Sequence, residues 1–152
     1  MKFQFYVWGI EIPKLILFRA CWLNLKHVNA IRKENNKPVV IRKGIEDLKT
    51  SLINDINKLQ SEYKSTAIIT KDNKEAEKIY NLIKDDINIS LVDANSKKFK
   101  KDLIIIPAYT AKGLEFDSVI IYNDRNNSYK ANERNLLYVA CTRCQHELYI
   151  YN

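Results

Sequence analysis

Short apolar runs separated by polar segments dominate the last third of the chain. Leu103–Ile106 and Val119–Tyr122 are continuous apolar runs, which are typical of strands buried in a parallel sheet. The polar loop AYTAKGLEFD lies between them, and loops between buried strands are where sites are usually built. Leu136 and Ala140 lie at helical spacing, and a last apolar run covers Leu148–Tyr151. The pattern predicts strand, loop, strand, helix and strand.

The middle of the chain alternates in the same way. Pro38–Ile41 and Ile87–Val92 are predicted strands, and Ala67–Ile69 forms the centre of another. Apolar residues recur at helical spacing between positions 45 and 63. The segment Asp72–Glu75 has the spacing of a capping box and predicts the start of a second helix. Strands that alternate with helices predict an α/β fold with a mostly parallel sheet flanked by helices.

The first residues do not fit this alternation. Met1–Leu25 is rich in aromatic and aliphatic side chains, but Glu11, Lys14 and Arg19 interrupt it. No small-residue cleavage site follows a clean apolar core, so a signal peptide or membrane anchor is disfavoured. The segment predicts a buried strand or a helix that packs on a neighbour. We therefore separate an atypical apolar segment, residues 1–26, from a domain at residues 27–152.

Composition adds little beyond this division. The chain has 152 residues, enough for one domain with a real core, and a formal net charge of +7. The charge allows a polyanionic partner, but the abundance of lysine, asparagine and isoleucine is also compatible with a biased genome composition. The lysine run within residues 97–101 has the same two interpretations, a phosphate contact or a solvated loop.

The three cysteines do not form a disulfide framework. Cys141 and Cys144 make a C-x-x-C pair, and Cys21 stands alone. A zinc site needs two further ligands, and a redox pair opens a helix after a strand, whereas this pair closes a predicted helix. No metal site is therefore predicted, and reduced cysteines indicate a cytoplasmic protein.

Two motifs carry a resemblance to a known family. AKGLEFD at Ala111–Asp117 and LLYVACTR at Leu136–Arg143 resemble the fifth and sixth motifs of UvrD-like superfamily 1 helicases, in the same order and between similar apolar runs. Pro107 and Tyr109 before the first motif are similar to the HelD-like branch. The resemblance implies a RecA-like three-layer domain, the second of the two motor domains in such helicases.

The resemblance also implies roles for single residues. Arg143 corresponds to an arginine finger, whose guanidinium stabilises the charge on a transferring phosphoryl group. Glu115 corresponds to the residue that contacts the nucleotide sugar, while Lys112 and Gly113 link the ATP site to the nucleic-acid track. For Arg143 the competing interpretation is a surface salt bridge to Glu133 or Glu147.

Four further residues complete the predicted site. Thr142 is expected to steady Arg143 or a phosphate oxygen, and Arg134 to support the ATP site from the helix start. Tyr109 and Thr110 stand where relatives contact single-stranded DNA, although Tyr109 could equally pack in the core. Asp117 is either a loop cap or a ligand.

Parts of an ATP site are missing from the sequence. It has no G-x-x-x-x-G-K-[ST] motif and no acidic pair after a strand to hold magnesium. The resemblance implies that ATP and Mg²⁺ are held by an N-terminal RecA-like domain of the same protein, and that this chain alone does not hydrolyse ATP. An ATP-driven factor that remodels RNA polymerase, as in the HelD-like branch, and an inactive truncated fragment are the alternatives.

Overall fold

The computed structural model describes residues 6–7, 10–11, 40–42, 46–92 and 102–151. The chain divides into two units, residues 1–39 and 40–152. In the first unit, strands β1 (Tyr6–Val7) and β2 (Ile10–Glu11) pair antiparallel. The remaining predictions for residues 1–26, including that for Cys21, lie outside the described residues. The lysine run within residues 97–101 also lies outside them.

A parallel sheet forms the centre of the second unit. Its six strands are ordered β3-β8-β7-β4-β6-β5, and each neighbouring pair runs parallel. This arrangement confirms the predicted α/β class. The strands are β3 (Val40–Arg42), β4 (Thr66–Thr70), β5 (Ser90–Leu91), β6 (Leu103–Pro107), β7 (Phe116–Tyr122) and β8 (Cys144–Tyr151).

The described residues include three helices besides the sheet, and side chains cap two of them. Helix α1 (Leu48–Glu62) starts at Asp47, which accepts a hydrogen bond from the Thr50 amide at 3.1 Å. Helix α2 (Asn73–Ile83) starts at Asp72, which accepts from the Glu75 amide at 3.0 Å. Helix α3 (Arg134–Thr142) follows a 3₁₀ turn, Ala131–Glu133. None of the helices in the described part of the chain is long and apolar enough to cross a membrane.

Aliphatic side chains from both helices and strands fill the core, because their burial removes apolar surface from water. Helices α1 and α2 contribute the residues predicted from the helical spacing, and the central strands contribute isoleucines. The fully buried members include Leu52, Ile56, Leu59, Ile68, Ile79, Ile83, Ile105 and Ile120.

Two tyrosines on β8 connect the sheet to α1 through their hydroxyl groups. Tyr151 is 1% exposed and donates a hydrogen bond to the carboxyl group of Asp55, which is 5% exposed. Tyr149 is also buried, but its hydroxyl meets Lys58, an exposed residue, at 3.2 Å. A buried carboxyl group is costly unless it is hydrogen-bonded, so the Asp55 contact matters more for stability.

Several element boundaries differ from the sequence prediction. Strand β8 begins at Cys144 rather than Leu148, since the polar residues before Leu148 belong to an irregular part of the strand. Strand β5 is shorter than the predicted run Ile87–Val92, because it pairs with β6 at the edge of the sheet through two residues. The predicted capping box is also only half formed, since the Glu75 side chain accepts from Asn127 instead.

Candidate functional site

The connection between β6 and β7, residues 108–115, crosses from one end of the sheet to the other. Both strands are parallel and lie on either side of β4, so the chain leaves β6 at the carboxyl end and must re-enter at the amino end. Four steps along β4 at about 3.3 Å each separate these ends by roughly 13 Å. The AKGLEF sequence therefore touches both ends of the sheet.

Backbone hydrogen bonds fix both ends of this connection. At the carboxyl end, the Ala108 amide donates to the Thr70 carbonyl at 2.8 Å. At the amino end, the Phe116 amide donates to the Arg143 carbonyl at 2.8 Å. The fifth and sixth motifs thus meet directly, through the backbone, where β7 and β8 begin.

Gly113 allows the connection to turn. Its φ angle is +83°, a left-handed conformation that residues with a Cβ atom rarely adopt. A Cβ built at this position would meet no atom within 4 Å. The backbone conformation, and not crowding, explains the glycine. Lys112 beside it is exposed.

Arg143 closes helix α3, and its guanidinium is held by three neutral oxygen atoms. Nε donates to the Val139 carbonyl at 3.1 Å, and one terminal nitrogen donates to the Leu114 carbonyl at 3.2 Å. The other terminal nitrogen donates to Oγ1 of Thr142 at 3.0 Å, and that hydroxyl donates to Val139 at 2.9 Å. Thr142 therefore accepts a hydrogen bond from the arginine, while its role at an ATP site stays a prediction.

This geometry leaves charge and donors on Arg143 for another partner. A guanidinium has five N–H groups, and each of its three nitrogens uses one in these bonds, so each terminal nitrogen retains one N–H. None of the three acceptors carries a formal charge that would neutralise the guanidinium. The competing salt bridge to Glu133 or Glu147 is not formed, since Glu133 pairs with Lys71 and Glu147 is buried.

Glu115 lies near Arg143, at the same end of the sheet. Its carboxylate accepts a hydrogen bond from the Gln145 amide at 2.7 Å. Gln145 reaches it from a β-bulge, because the register with β7 shifts between Phe116 and Ser118. Bulges commonly re-aim side chains near functional sites. Gln145 was not predicted, and a polar run at the start of an apolar strand is the only local signal for it.

Tyr109 and Thr110 lie at the opposite end of the sheet, just beyond β6. The Tyr109 side chain is 48% exposed, which excludes the interpretation that it packs in the core. The Thr110 hydroxyl is buried, and no residue in the described part of the chain forms a hydrogen bond with it. A buried hydroxyl without a hydrogen bond is costly to the folded state.

Arg134 lies apart from Arg143, while Asp117 lies next to Phe116 and has a structural role. Arg134 is the first residue of α3, and a nine-residue helix separates it from Thr142 by about 12 Å. The structure therefore does not bring Arg134 and Arg143 together. Asp117 accepts hydrogen bonds from the Ser65 amide and hydroxyl at 2.9 and 3.0 Å, so it caps the start of β4.

Cysteines and acidic residues do not define a metal centre in residues 46–92 and 102–151. Cys141 and Cys144 are buried thiols, and the Cys144 thiol donates to the Glu147 carbonyl. No group of three or more histidine, cysteine or carboxylate side chains is arranged to hold an ion there.

Comparison with known families identifies the class of this domain. The model of the UvrD-like helicase C-terminal domain matches residues 16–152. The chain therefore belongs to the UvrD-like helicase C-terminal domain family, as the two motifs predicted. The closer resemblance to the HelD-like branch stays a prediction.

A solved structure supports the same assignment. The chain is similar to the C-terminal domain of a possible DNA helicase from Lactobacillus plantarum WCFS1, with 32% identity and a TM-score of 0.63. The match covers 74% of this chain and 71% of that chain, and it confirms the RecA-like fold. No curated protein matched the sequence. This domain is thus the second motor domain of a helicase.

Proposed function

We propose that this chain is the second motor domain of an ATP-dependent DNA helicase or translocase, and that Arg143 is its arginine finger. In this proposal an N-terminal motor domain holds ATP and Mg²⁺, and this domain completes the site across the cleft between them. The hydrogen-bonding of Arg143 carries the proposal. Neutral oxygen atoms hold its guanidinium rigidly, so its charge remains available to a phosphate.

The residues at the amino end of the sheet fit a nucleotide. ATP supplies the phosphoanhydride bond whose hydrolysis drives the motor. Arg143 would direct its remaining N–H groups towards the transferring phosphoryl group, and Thr142 keeps the guanidinium in place. Glu115 is exposed and oriented by Gln145, which suits a carboxylate that accepts hydrogen bonds from ribose hydroxyls. Lys112 adds an exposed positive charge in the same connection, while Arg134 would act from the far end of α3.

The residues at the carboxyl end fit a single strand of DNA. The exposed ring of Tyr109 can stack on a base, and Thr110 follows it in the same connection. Because one short connection contains these residues and also contacts Arg143, movement of the strand and positioning of the finger are mechanically linked. Opening and closing of the cleft would then move the motor along the strand.

The experiment uses a helicase in which this domain is joined to its N-terminal motor domain. We expect Arg143→Ala to lower ATP turnover roughly a thousandfold or more, with a much smaller effect on ATP affinity. Arg143→Lys should remain strongly impaired, because a lysine lacks the planar fork of donors. Lys84→Ala, which removes an exposed positive charge at the end of α2, is the matched control and should turn over ATP normally.

Two results would contradict the proposal. Unchanged turnover in Arg143→Ala, with the fold retained in thermal unfolding, would remove the arginine-finger role. Robust ATP hydrolysis by the purified domain alone would show that the site is not shared with another domain. The RNA polymerase alternative is tested in the same protein: retention of RNA polymerase on the immobilised full-length helicase, without DNA-stimulated turnover, would favour remodelling over translocation.

A further inference from the structure

A buried lysine at the end of β4 lies outside the two motifs. Lys71 is 8% exposed, and its Nζ contacts three oxygen atoms. It pairs with the Glu133 carboxylate at 2.8 Å and donates to the Ser128 carbonyl at 3.2 Å and to Oδ1 of Asn127 at 3.3 Å. An ammonium has three N–H donors, so these contacts satisfy it completely. Burying a lysine is costly without such partners, and this one is fixed in a single position.

Asn127 extends the Lys71 contacts to helix α2. Its amide nitrogen donates to Asp72 at 2.9 Å and to Glu75 at 3.1 Å. Asp72 caps α2, and Glu75 is 4% exposed. We call Lys71, Asp72, Glu75, Asn127 and Glu133 the junction network. It joins the β4–α2 junction to a region more than fifty residues later, which comprises the loop after β7 and the 3₁₀ turn before α3.

The junction network holds the beginning of the helix that carries Arg143. Glu133 is the last residue of the 3₁₀ turn, and it also accepts from the Lys130 amide at 2.8 Å. Ala140 and Cys141, both near the end of α3, are its fully buried residues. Burial is therefore greatest in the last turns of the helix, and the ion pair with Lys71 holds Glu133, the residue just before its first turn.

A short helix can transmit the position of its first turn to its last residue. Helix α3 rises about 1.5 Å per residue, so Arg143 lies within about 15 Å of Glu133 along one rigid element. We propose that Lys71 is a positioning residue, which anchors the start of α3 to the end of β4 and thereby sets the direction in which Arg143 presents its guanidinium. This inference rests on the proposed role of Arg143.

The experiment compares variants of Lys71 in the helicase that contains both motor domains. We expect Lys71→Met to lower kcat for ATP at least about tenfold, with KM for ATP changed less than about twofold, because the charge on Arg143 acts in the transition state. Lys71→Arg should recover most of the rate, since a guanidinium can still pair with Glu133. The matched control is Lys78→Met. Lys78 forms an ion pair at 2.5 Å with Asp124, which lies on the loop after β7, as Asn127 does. Because the Lys78 side chain is 56% exposed, kcat should change less than about twofold in this variant.

A double-mutant cycle separates positioning from a general structural role. If Lys71 acts through Arg143, adding Lys71→Met to Arg143→Ala should lower kcat less than about twofold further. If the double variant loses as much kcat relative to Arg143→Ala as Lys71→Met loses relative to the wild type, the inference is overturned. The proposed function would still stand in that case, because it is tested by the kcat of Arg143→Ala alone. If Lys71→Met does not fold, Glu133→Gln replaces it in the same cycle, because this change keeps an oxygen acceptor at a partly exposed position. A folded Lys71→Met variant with normal kcat would also overturn the inference.

Discussion

The substitution Tyr151→Phe tests how a buried carboxyl group is tolerated in this core. It removes one hydroxyl and leaves the aromatic ring in place, so it creates almost no cavity. The hydroxyl donates to Asp55, and both residues are at most 5% exposed. Without this donor the Asp55 carboxyl loses a hydrogen bond in a place that water does not reach. The expected cost is about 1–3 kcal/mol in the free energy of unfolding.

Tyr149→Phe is the matched control for this prediction. Tyr149 lies on the same strand, two positions away, and is 0% exposed, so both substitutions delete the same atom from the same face of β8. Its hydroxyl meets Lys58, which is exposed and can return to water when the bond is lost. We expect Tyr149→Phe to cost less than about 1 kcal/mol.

Urea denaturation of the isolated domain, followed by circular dichroism, measures both costs. With a slope of about 1–3 kcal/mol per molar urea, the Tyr151→Phe midpoint should fall by roughly 1 M and the Tyr149→Phe midpoint by clearly less. Equal shifts of the midpoint in the two variants would refute the reasoning. The cost would then come from the loss of any tyrosine hydroxyl, and not from the hydrogen bond that the Asp55 carboxyl group loses.

Two further predictions concern charge and nucleic acid. Burial raises the pKa of Glu75 above its ordinary value of 4.5, so the folded state keeps a proton that the unfolded state has released, and stability falls as pH rises through the folded pKa. Glu75→Gln should abolish this loss in urea titrations above pH 4.5, and an unchanged pH profile would contradict the assignment. Tyr109→Ala should weaken binding of a fluorescent single-stranded oligonucleotide about tenfold at fixed salt, whereas Tyr109→Phe should retain it. Equal loss in both variants would argue against stacking.

Much of the fold could be predicted because burial in a parallel sheet produces continuous apolar runs. The centres of β4, β6 and β7 follow such runs, and only their ends were missed, where Thr66 and Thr70 are polar but buried. The first half of β8 was missed for a different reason. Gln145 and its neighbours are polar because they lie in a bulge, and a bulge breaks the pattern that marks a strand.

The candidate site was predicted only where its residues are close in sequence. The two motifs identify Arg143 and the connection before β7, and the structure shows that they touch. The junction network could not be predicted, since Asn127 is more than fifty positions from Asp72 and no local periodicity links them. Glu75 shows why. Its spacing from Asp72 indicates a capping box, but in the folded chain its side chain accepts a hydrogen bond from the distant amide of Asn127.

The common direction of all six strands has a consequence for how such a motor can diversify. Loops that follow strands gather at one rim of the sheet, and segments that precede strands gather at the other. Under the proposed function, substitutions on the first rim outside the junction network can therefore alter nucleic-acid binding with little effect on ATP hydrolysis at the second rim. The connection at residues 108–115 carries proposed site residues at both rims, and we expect it to tolerate the least change.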